Sequence, residues 1–391
     1  MDGTVARIDR IELIHFAFKV DGLGPDSEGV LGFNPGAQAE LKSYVLKIRD
    51  TDGTVGEYCP MHSGKHPQVI TQTLPLLPSL IGQDSMAREE LYQRYKRRHR
   101  HVGGTGYSAI DVCLWDLFGK KVGMSITALL GGWRWEIPAY ASTISGDNNG
   151  GLSSPEAYAD FAVRCRELGY PGFKMHCWSD GDPKKEIAAM TAVAKAVGDD
   201  MDLMTDPASH LRTFADALRV GRACDDLDYY WLEDPMADGG HAPHVHRKLR
   251  QAIRTPLLLT EHVRGLEAKS AWITEEATDF LRADPEYDLG ITGVMKTAAL
   301  AEAFGLDVEL HSSGPAHRHC MAAMRNSNYY ELALVHPTIA NPLPPIYTDY
   351  SDDLEAVLPN GCFPVPTGPG LGVTIDEDFL SHAEIGRQVF E

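Results

Sequence analysis

Short apolar runs alternate with amphipathic segments along the chain from residue 133 onward. Helical spacing is clear in residues 154–168, where a start containing serine and proline precedes an apolar stripe of Tyr158, Phe161 and Cys165. This alternation predicts an α/β fold with a parallel TIM-type barrel, and a doubly wound open sheet is the alternative. The runs that we expect to form the eight barrel strands are IPAYAST, GFKMH, MDLMTD, DYYWLED, PLLLTEH, DFLRAD, DVELHS and YYELAL.

The first 132 residues have a different pattern. RIELIHFAFKV alternates as a strand does, and SYVLKIRDTDGTVGEY indicates two strands joined by a turn at Asp52-Gly53. Helical spacing follows in residues 76–98 and 107–123. We therefore predict an α+β domain over 1–132, the barrel over 133–362, and a C-terminal segment, 363–391, that returns to the first domain.

Composition narrows the class of protein. The chain has 391 residues, of which 43% are hydrophobic, so it can bury a substantial core. Its formal net charge of -19 argues against nucleic acid or a membrane surface as partners. The seven cysteines are odd in number and form no CxxC pair, and no apolar h-region opens the chain, so we expect a cytoplasmic protein with reduced thiols.

Each predicted strand after the first ends in an ionisable residue. At the mouth of a barrel these side chains converge. The acids Asp206, Glu233 and Glu261 end successive strands and would repel one another, so they predict a cation, and a ligand set made only of oxygens suits Mg²⁺. Each acid alone could instead cap the helix that follows it.

Basic groups accompany these acids. Lys174 and His176 lie two residues apart and therefore share one face of their strand. Asp284 and His311 end the next two strands, where the carboxylate can fix the imidazole tautomer. Bases on two sides of a metal indicate abstraction of a proton α to a carboxylate. The alternatives are an aldolase in which Lys174 forms a Schiff base and an inactive binding protein.

In these motifs the chain resembles the enolase superfamily, specifically the mandelate racemase subgroup, and the resemblance covers essentially its whole length. The match includes AIDVCLWDLFGKKVG with LLGG, the LEDP and TEH motifs, and GITGVMKTAALAEAFGLDVELH. The resemblance implies a modified (β/α)7β barrel, an α+β capping domain and a homo-oligomer. It also implies that Asp206, Glu233 and Glu261 bind Mg²⁺, that Asp284 and His311 form a catalytic dyad, and that Glu331 hydrogen-bonds the substrate carboxylate in its protonated form.

One position departs from the family pattern. The subgroup usually has Lys-x-Lys on the second barrel strand, whereas His176 stands at the second of these positions here. Lys174 can still neutralise a carboxylate, and a histidine can act as a base near neutral pH without a large pKa shift. Whether His176 or His311 is the base therefore stays open.

The resemblance favours dehydration of an acid sugar such as lyxonate or galactonate to a 2-keto-3-deoxy acid. Racemisation, epimerisation or cycloisomerisation on the same site is the alternative. The loop CPMHSGKH supplies His62, Lys65 and His66 as candidate substrate-binding residues, and residues 21–29 are a second candidate lid. The stretch GPAHRHC, which follows His311, is a further candidate for part of the site.

Overall fold

The computed structural model describes residues 5–25, 31–237 and 242–391. The predicted lid at 21–29 thus lies in part outside the described residues. The strands are β1 Ile8–Pro25, β2 Leu31–Asp50, β3 Val55–Tyr58, β4 Glu136–Thr143, β5 Gly172–Met175, β6 Asp202–Thr205, β7 Trp231–Glu233, β8 Leu257–Leu259, β9 Phe280–Ala283, β10 Asp307–Leu310, β11 Tyr330–Val335, β12 Cys362–Pro364 and β13 Glu384–Phe390. The helices are α1 Pro67–Thr73, α2 Arg88–Arg98, α3 Thr105–Val122, α4 Ile126–Leu129, α5 Pro155–Leu168, α6 Pro183–Val197, α7 Phe214–Asp226, α8 Pro243–Arg250, α9 Leu266–Thr274, α10 Gly290–Ala303, α11 Pro315–Ala323 and α12 Glu377–Ala383. Among them no helix combines the length and the hydropathy that crossing a bilayer requires.

The parallel sheet has the strand order β10-β9-β8-β7-β6-β5-β4-β11. Neighbouring strands are thus neighbours in the chain from β4 to β10, and each of these strands is followed by one of the helices α5 to α11. The two ends of the row meet at Ser313, whose hydroxyl donates to the carbonyl of Glu331 and accepts from the amide of Ala333. The predicted (β/α)7β barrel is confirmed, and a doubly wound sheet, whose strand order reverses in the middle, is excluded.

The cap is an antiparallel sheet in the order β13-β1-β2-β3. The predicted turn joins β2 to β3, and Gly53 adopts the left-handed backbone conformation there, with φ of 82°. Strand β3 packs so closely on α3 that a Cβ at Gly56 would lie 2.1 Å from the carbonyl oxygen of Cys113. Strand β12, by contrast, pairs with β4 of the barrel. The limits 1–132, 133–362 and 363–391 stay predictions.

The inward faces of the barrel strands are layered. Tyr140, Met204, Trp231 and Leu258 form an apolar cluster inside the barrel. Because side chains alternate along a strand, the face that buries Met204 presents Asp206 two residues later, and the face that buries Trp231 presents Glu233. Apolar packing below thereby fixes the direction of the polar groups above.

Candidate active site

The three acids at the ends of β6, β7 and β8 come together. Ligand oxygens of Asp206, Glu233 and Glu261 all lie within 4.8 Å of one another, and they are the one group in the described part of the chain that could hold a metal ion. Asp234 adjoins them, and both of its carboxylate oxygens are buried and receive no hydrogen bond from the residues that the structure describes. Burial and the nearby Glu261 carboxylate raise its pKa well above the ordinary value. Buried carboxylate oxygens without partners fit a divalent cation with a preference for oxygen ligands.

Two buried cations lie beneath this cluster. Lys174 places its Nζ 2.7 Å from Glu233 Oε2 and 2.8 Å from Glu331 Oε1. Arg282, on β9, places its Nε 2.8 Å from Glu233 Oε1 and its guanidinium also contacts Glu331. All four side chains are at most 2% exposed. The two cations and two carboxylates thus form a closed ring of ion pairs.

This ring sets the charge of Glu331 in the absence of substrate. Burial alone would raise its pKa, but Arg282 and Lys174 outweigh burial and hold the pKa well below the ordinary value. Its Oε2 also accepts a hydrogen bond from the amide of Ser312, at 2.6 Å. The carboxylate of Glu331 is therefore ionised in this arrangement, which contains no substrate, and its protonated form during the reaction stays a prediction.

His176 is fixed at both ring nitrogens. Its Nδ1 lies 2.7 Å from the carbonyl oxygen of Thr143, to which it must donate, and its Nε2 lies 3.0 Å from Asp206 Oδ2. Burial opposes a charge on this imidazole, but the Asp206 carboxylate outweighs burial and raises the pKa. The nitrogen that can exchange a proton is therefore Nε2, which faces the carboxylate cluster.

His311 has the same arrangement on the other side of the cluster. Its Nδ1 lies 2.7 Å from Asp284 Oδ2, and its Nε2 lies 3.5 Å from Glu261 Oε1. Burial opposes its charge, yet the carboxylates of Glu261 and Asp284 raise the pKa to about 9. A second imidazole, that of His317 on α11, lies 3.3 Å from Asp284 Oδ1. Asp284 is thus enclosed between two histidines.

Of the three cap-loop candidates, one reaches the site. The ring of His62 lies 5.1 Å from the ring of His311, edge to face. Lys65 instead donates a hydrogen bond to the carbonyl of Pro342, at 3.1 Å. The ring of His66 lies 5.3 Å from that of His62 but does not line the cavity over the cluster.

The cavity has a volume of about 220 Å³. Larger concavities of about 520 and 540 Å³ lie along residues 335–356, away from the acids. Lys174 and Glu233 do not line the small cavity, because they lie below its floor. The residues that line it and carry a titratable side chain are His62, His176, Asp206, Asp234, Glu261, His262, His311 and Glu331.

The structure adds four polar groups to the predicted site. Arg282, Asp234, His317 and Glu286, the last a buried acid two residues after Asp284, took no place in the predicted set. Arg282 had a local signal, because a charged residue stands two positions before Asp284 on an otherwise apolar strand. His317 lies in the GPAHRHC stretch, which the sequence does single out.

A capped (β/α)7β barrel with acids at the ends of its third, fourth and fifth strands defines an enolase-type enzyme. Comparison with known families agrees: residues 36–131 match the mandelate racemase / muconate lactonizing enzyme N-terminal domain, and residues 157–379 match the enolase C-terminal domain-like family. The chain belongs to the enolase superfamily, in its mandelate racemase subgroup.

The proteins similar to this chain include dehydratases and a cycloisomerase. L-talarate/galactarate dehydratase of Salmonella typhimurium is 27% identical over 349 residues, which cover 86% of this chain and 81% of that one. D-galactarolactone cycloisomerase of Agrobacterium fabrum is 28% identical over 365 residues, which cover 88% and 91%. The crystal structure of D-glucarate dehydratase from Agrobacterium tumefaciens, complexed with magnesium, has a TM-score of 0.85 at 30% identity and covers 98% of this chain and 100% of that one.

Proposed function

We propose that the protein is a Mg²⁺-dependent acid-sugar dehydratase. The observation that carries the proposal is the pair of imidazoles, His176 and His311, that line one cavity. In each imidazole, Nδ1 is hydrogen-bonded to an oxygen atom of the barrel, and Nε2 faces a carboxylate oxygen of the acid cluster. Two such groups can remove one proton and deliver another, as elimination of water requires. Dehydratases among the relatives support this reaction class.

The roles of the residues follow from these contacts. Asp206, Glu233 and Glu261 would hold Mg²⁺, which supplies Lewis-acid stabilisation of charge on the substrate carboxylate. Lys174 and Arg282 add positive charge beneath that position and keep Glu331 ionised. One imidazole takes the C2 proton to give the enediolate. The other donates a proton to the 3-hydroxyl, which leaves as water, and the resulting enol becomes the 2-keto-3-deoxy acid.

His311 can act as the base that takes the C2 proton only if the acid cluster beside it loses negative charge. At about 9, its pKa would leave it protonated at neutral pH, so it could act as an acid but not as a base. Neutralising Glu261 by a bound divalent cation would lower this pKa toward the ordinary value. His311 is therefore the proposed base in the metal-loaded enzyme.

For the substrate we propose an aldonate, such as lyxonate or galactonate. Among the described residues that line the cavity, the cap contributes His62, whose pKa is held well below its ordinary value by burial and by the charge of Lys65. A neutral imidazole suits a hydroxyl group better than a second carboxylate. The named substrates of the relatives include dicarboxylates, so aldarates belong in the same test.

The direct test is a screen of aldonates and aldarates with Mg²⁺. We expect one or a few diastereomers to yield 2-keto-3-deoxy acid, detected with semicarbazide, and no product after treatment with EDTA. Exchange of the C2 proton with deuterated solvent in the absence of keto acid would replace the proposal by epimerisation, for which the two imidazoles are equally suited. An imine trapped by borohydride would instead indicate a Schiff base on Lys174. A homo-oligomeric state stays a prediction.

Replacing His176 by Ala is expected to distinguish the roles of the two imidazoles. If His311 removes the C2 proton, the His176→Ala variant should still exchange this proton with solvent, followed by NMR, while formation of keto acid falls by ~10²-fold or more. Loss of both exchange and elimination would make His176 the base. The exposed His244, replaced by Ala, serves as the matched control.

A further inference from the structure

We propose that Glu286 is a positioning residue that holds the cap loop on the barrel and thereby places His62 against His311. Glu286 follows the barrel strand β9, whereas His62 belongs to the cap. The role in catalysis rests on the proposed dehydratase function, but the contact between cap and barrel does not.

The carboxylate of Glu286 receives four hydrogen bonds from the cap. Its Oε1 accepts from the Tyr58 hydroxyl at 2.7 Å and from the Met61 amide at 2.6 Å. Its Oε2 accepts from the amide of His62 at 3.0 Å and from that of Ser63 at 2.6 Å. Three successive amides that point at one carboxylate form an anion-binding nest. The loop is therefore fixed by a barrel side chain.

The same residue touches the proposed dyad. The amide of Glu286 donates a hydrogen bond to Asp284 Oδ1, at 2.6 Å, while Asp284 Oδ2 lies 2.7 Å from His311 Nδ1. Glu286 thus orients the dyad carboxylate through its backbone amide and holds the loop that carries His62 through its side chain. A shift of the loop would change the distance between the rings of His62 and His311, which is 5.1 Å here.

The chemistry of this contact favours a functional role over simple packing. Glu286 is 1% exposed, and its hydrogen-bond donors are a phenol and backbone amides, all neutral. A buried carboxylate is costly to desolvate, and an apolar contact could attach the cap at lower cost. The carboxylate fixes the orientation of the cap loop as well, because hydrogen bonds to an ionised acceptor are short and hold their donors in place. The loop orientation determines where the His62 ring lies, and the buried Nδ1 of this ring has no hydrogen-bond partner among the described residues.

The contact can be tested without any substrate. In Glu286→Gln one acceptor oxygen becomes an NH₂ group, which cannot accept from the donors that faced it. We expect the amides of Met61, His62 and Ser63 to exchange with deuterated solvent ~10-fold faster or more, since a hydrogen bond to a charged group is lost. The exposed Glu267, replaced by Gln, should leave this exchange unchanged. Equal exchange in wild type and Glu286→Gln would overturn the proposal.

A double-mutant cycle tests the link to His62. Glu286→Gln is expected to lower kcat/KM by ~10-fold in the wild-type background but by less than ~2-fold in His62→Ala, because the residue then has nothing left to position. The same fold-loss in both backgrounds would show that Glu286 does not act through His62 and would overturn the positioning role. If Glu286→Gln does not fold, Tyr58→Phe removes one donor to Oε1 and serves in both experiments. A wild-type protein that dehydrates no acid sugar refutes the dehydratase function, and hydrogen exchange then decides the contact on its own.

Discussion

The His311→Asn variant is expected to lose ~10²–10⁴-fold in the kcat of dehydration, which is the usual contribution of a positioned acid or base. Asparagine can still donate a hydrogen bond toward Asp284, so the buried carboxylate keeps a partner, and His317 remains 3.3 Å from its other oxygen. The fold should therefore survive while proton transfer stops. The measurements are single-turnover formation of keto acid and thermal unfolding.

Two controls make this result specific. His244→Asn removes an exposed imidazole from α8 and should leave kcat unchanged. Mg²⁺ titration of His311→Asn should give an affinity no weaker than that of wild type, because the three acids are unchanged and the imidazolium charge 3.5 Å from Glu261 is removed. Turnover within a few-fold of wild type would exclude His311 as a proton-transfer group.

The barrel could be predicted from the sequence because its signals are local. Each strand is a short apolar run, and the period of two places Lys174 with His176 on one face and sets Asp206 and Glu233 beyond buried residues. The strands β12 and β13 were not predicted. They lie in or after a stretch rich in proline and glycine, and their pairing with β4 and β1 depends on tertiary structure.

The missing parts of the site depend on contacts between distant segments. Glu286 matters through a cap loop more than 220 positions away in the chain. The ionised state of Glu331 depends on Arg282 and Lys174, which stand on two other strands. A strand pattern indicates which face a side chain occupies but not which charges lie beside it, and those charges decide a pKa. For this reason the ionised state of Glu331 without substrate could not be predicted from the strand pattern.

Glu233→Gln is expected to have two effects that separate experimentally. The variant loses a ligand charge, so Mg²⁺ binding should weaken by more than the ~10–100-fold that loss of an outer-shell partner costs. It also breaks ion pairs to Lys174 and Arg282, both buried, and breaking a buried pair costs about 3–5 kcal/mol. Glu331 still pairs with both cations, so we expect the lower end of that range.

Unfolding with and without Mg²⁺ distinguishes these effects. Loss of the ion pairs lowers the free energy of unfolding even in EDTA, where no metal contributes. The metal effect is the added stability: at a free Mg²⁺ concentration 100 times the Kd, wild type gains about 2.7 kcal/mol, whereas a variant with ~100-fold weaker binding gains only about 0.4 kcal/mol. Glu267→Gln, an exposed acid-to-amide change, should match wild type in both media. A normal gain with Mg²⁺ but low stability in EDTA would remove Glu233 from the ligand set and leave it as the partner of the two buried cations.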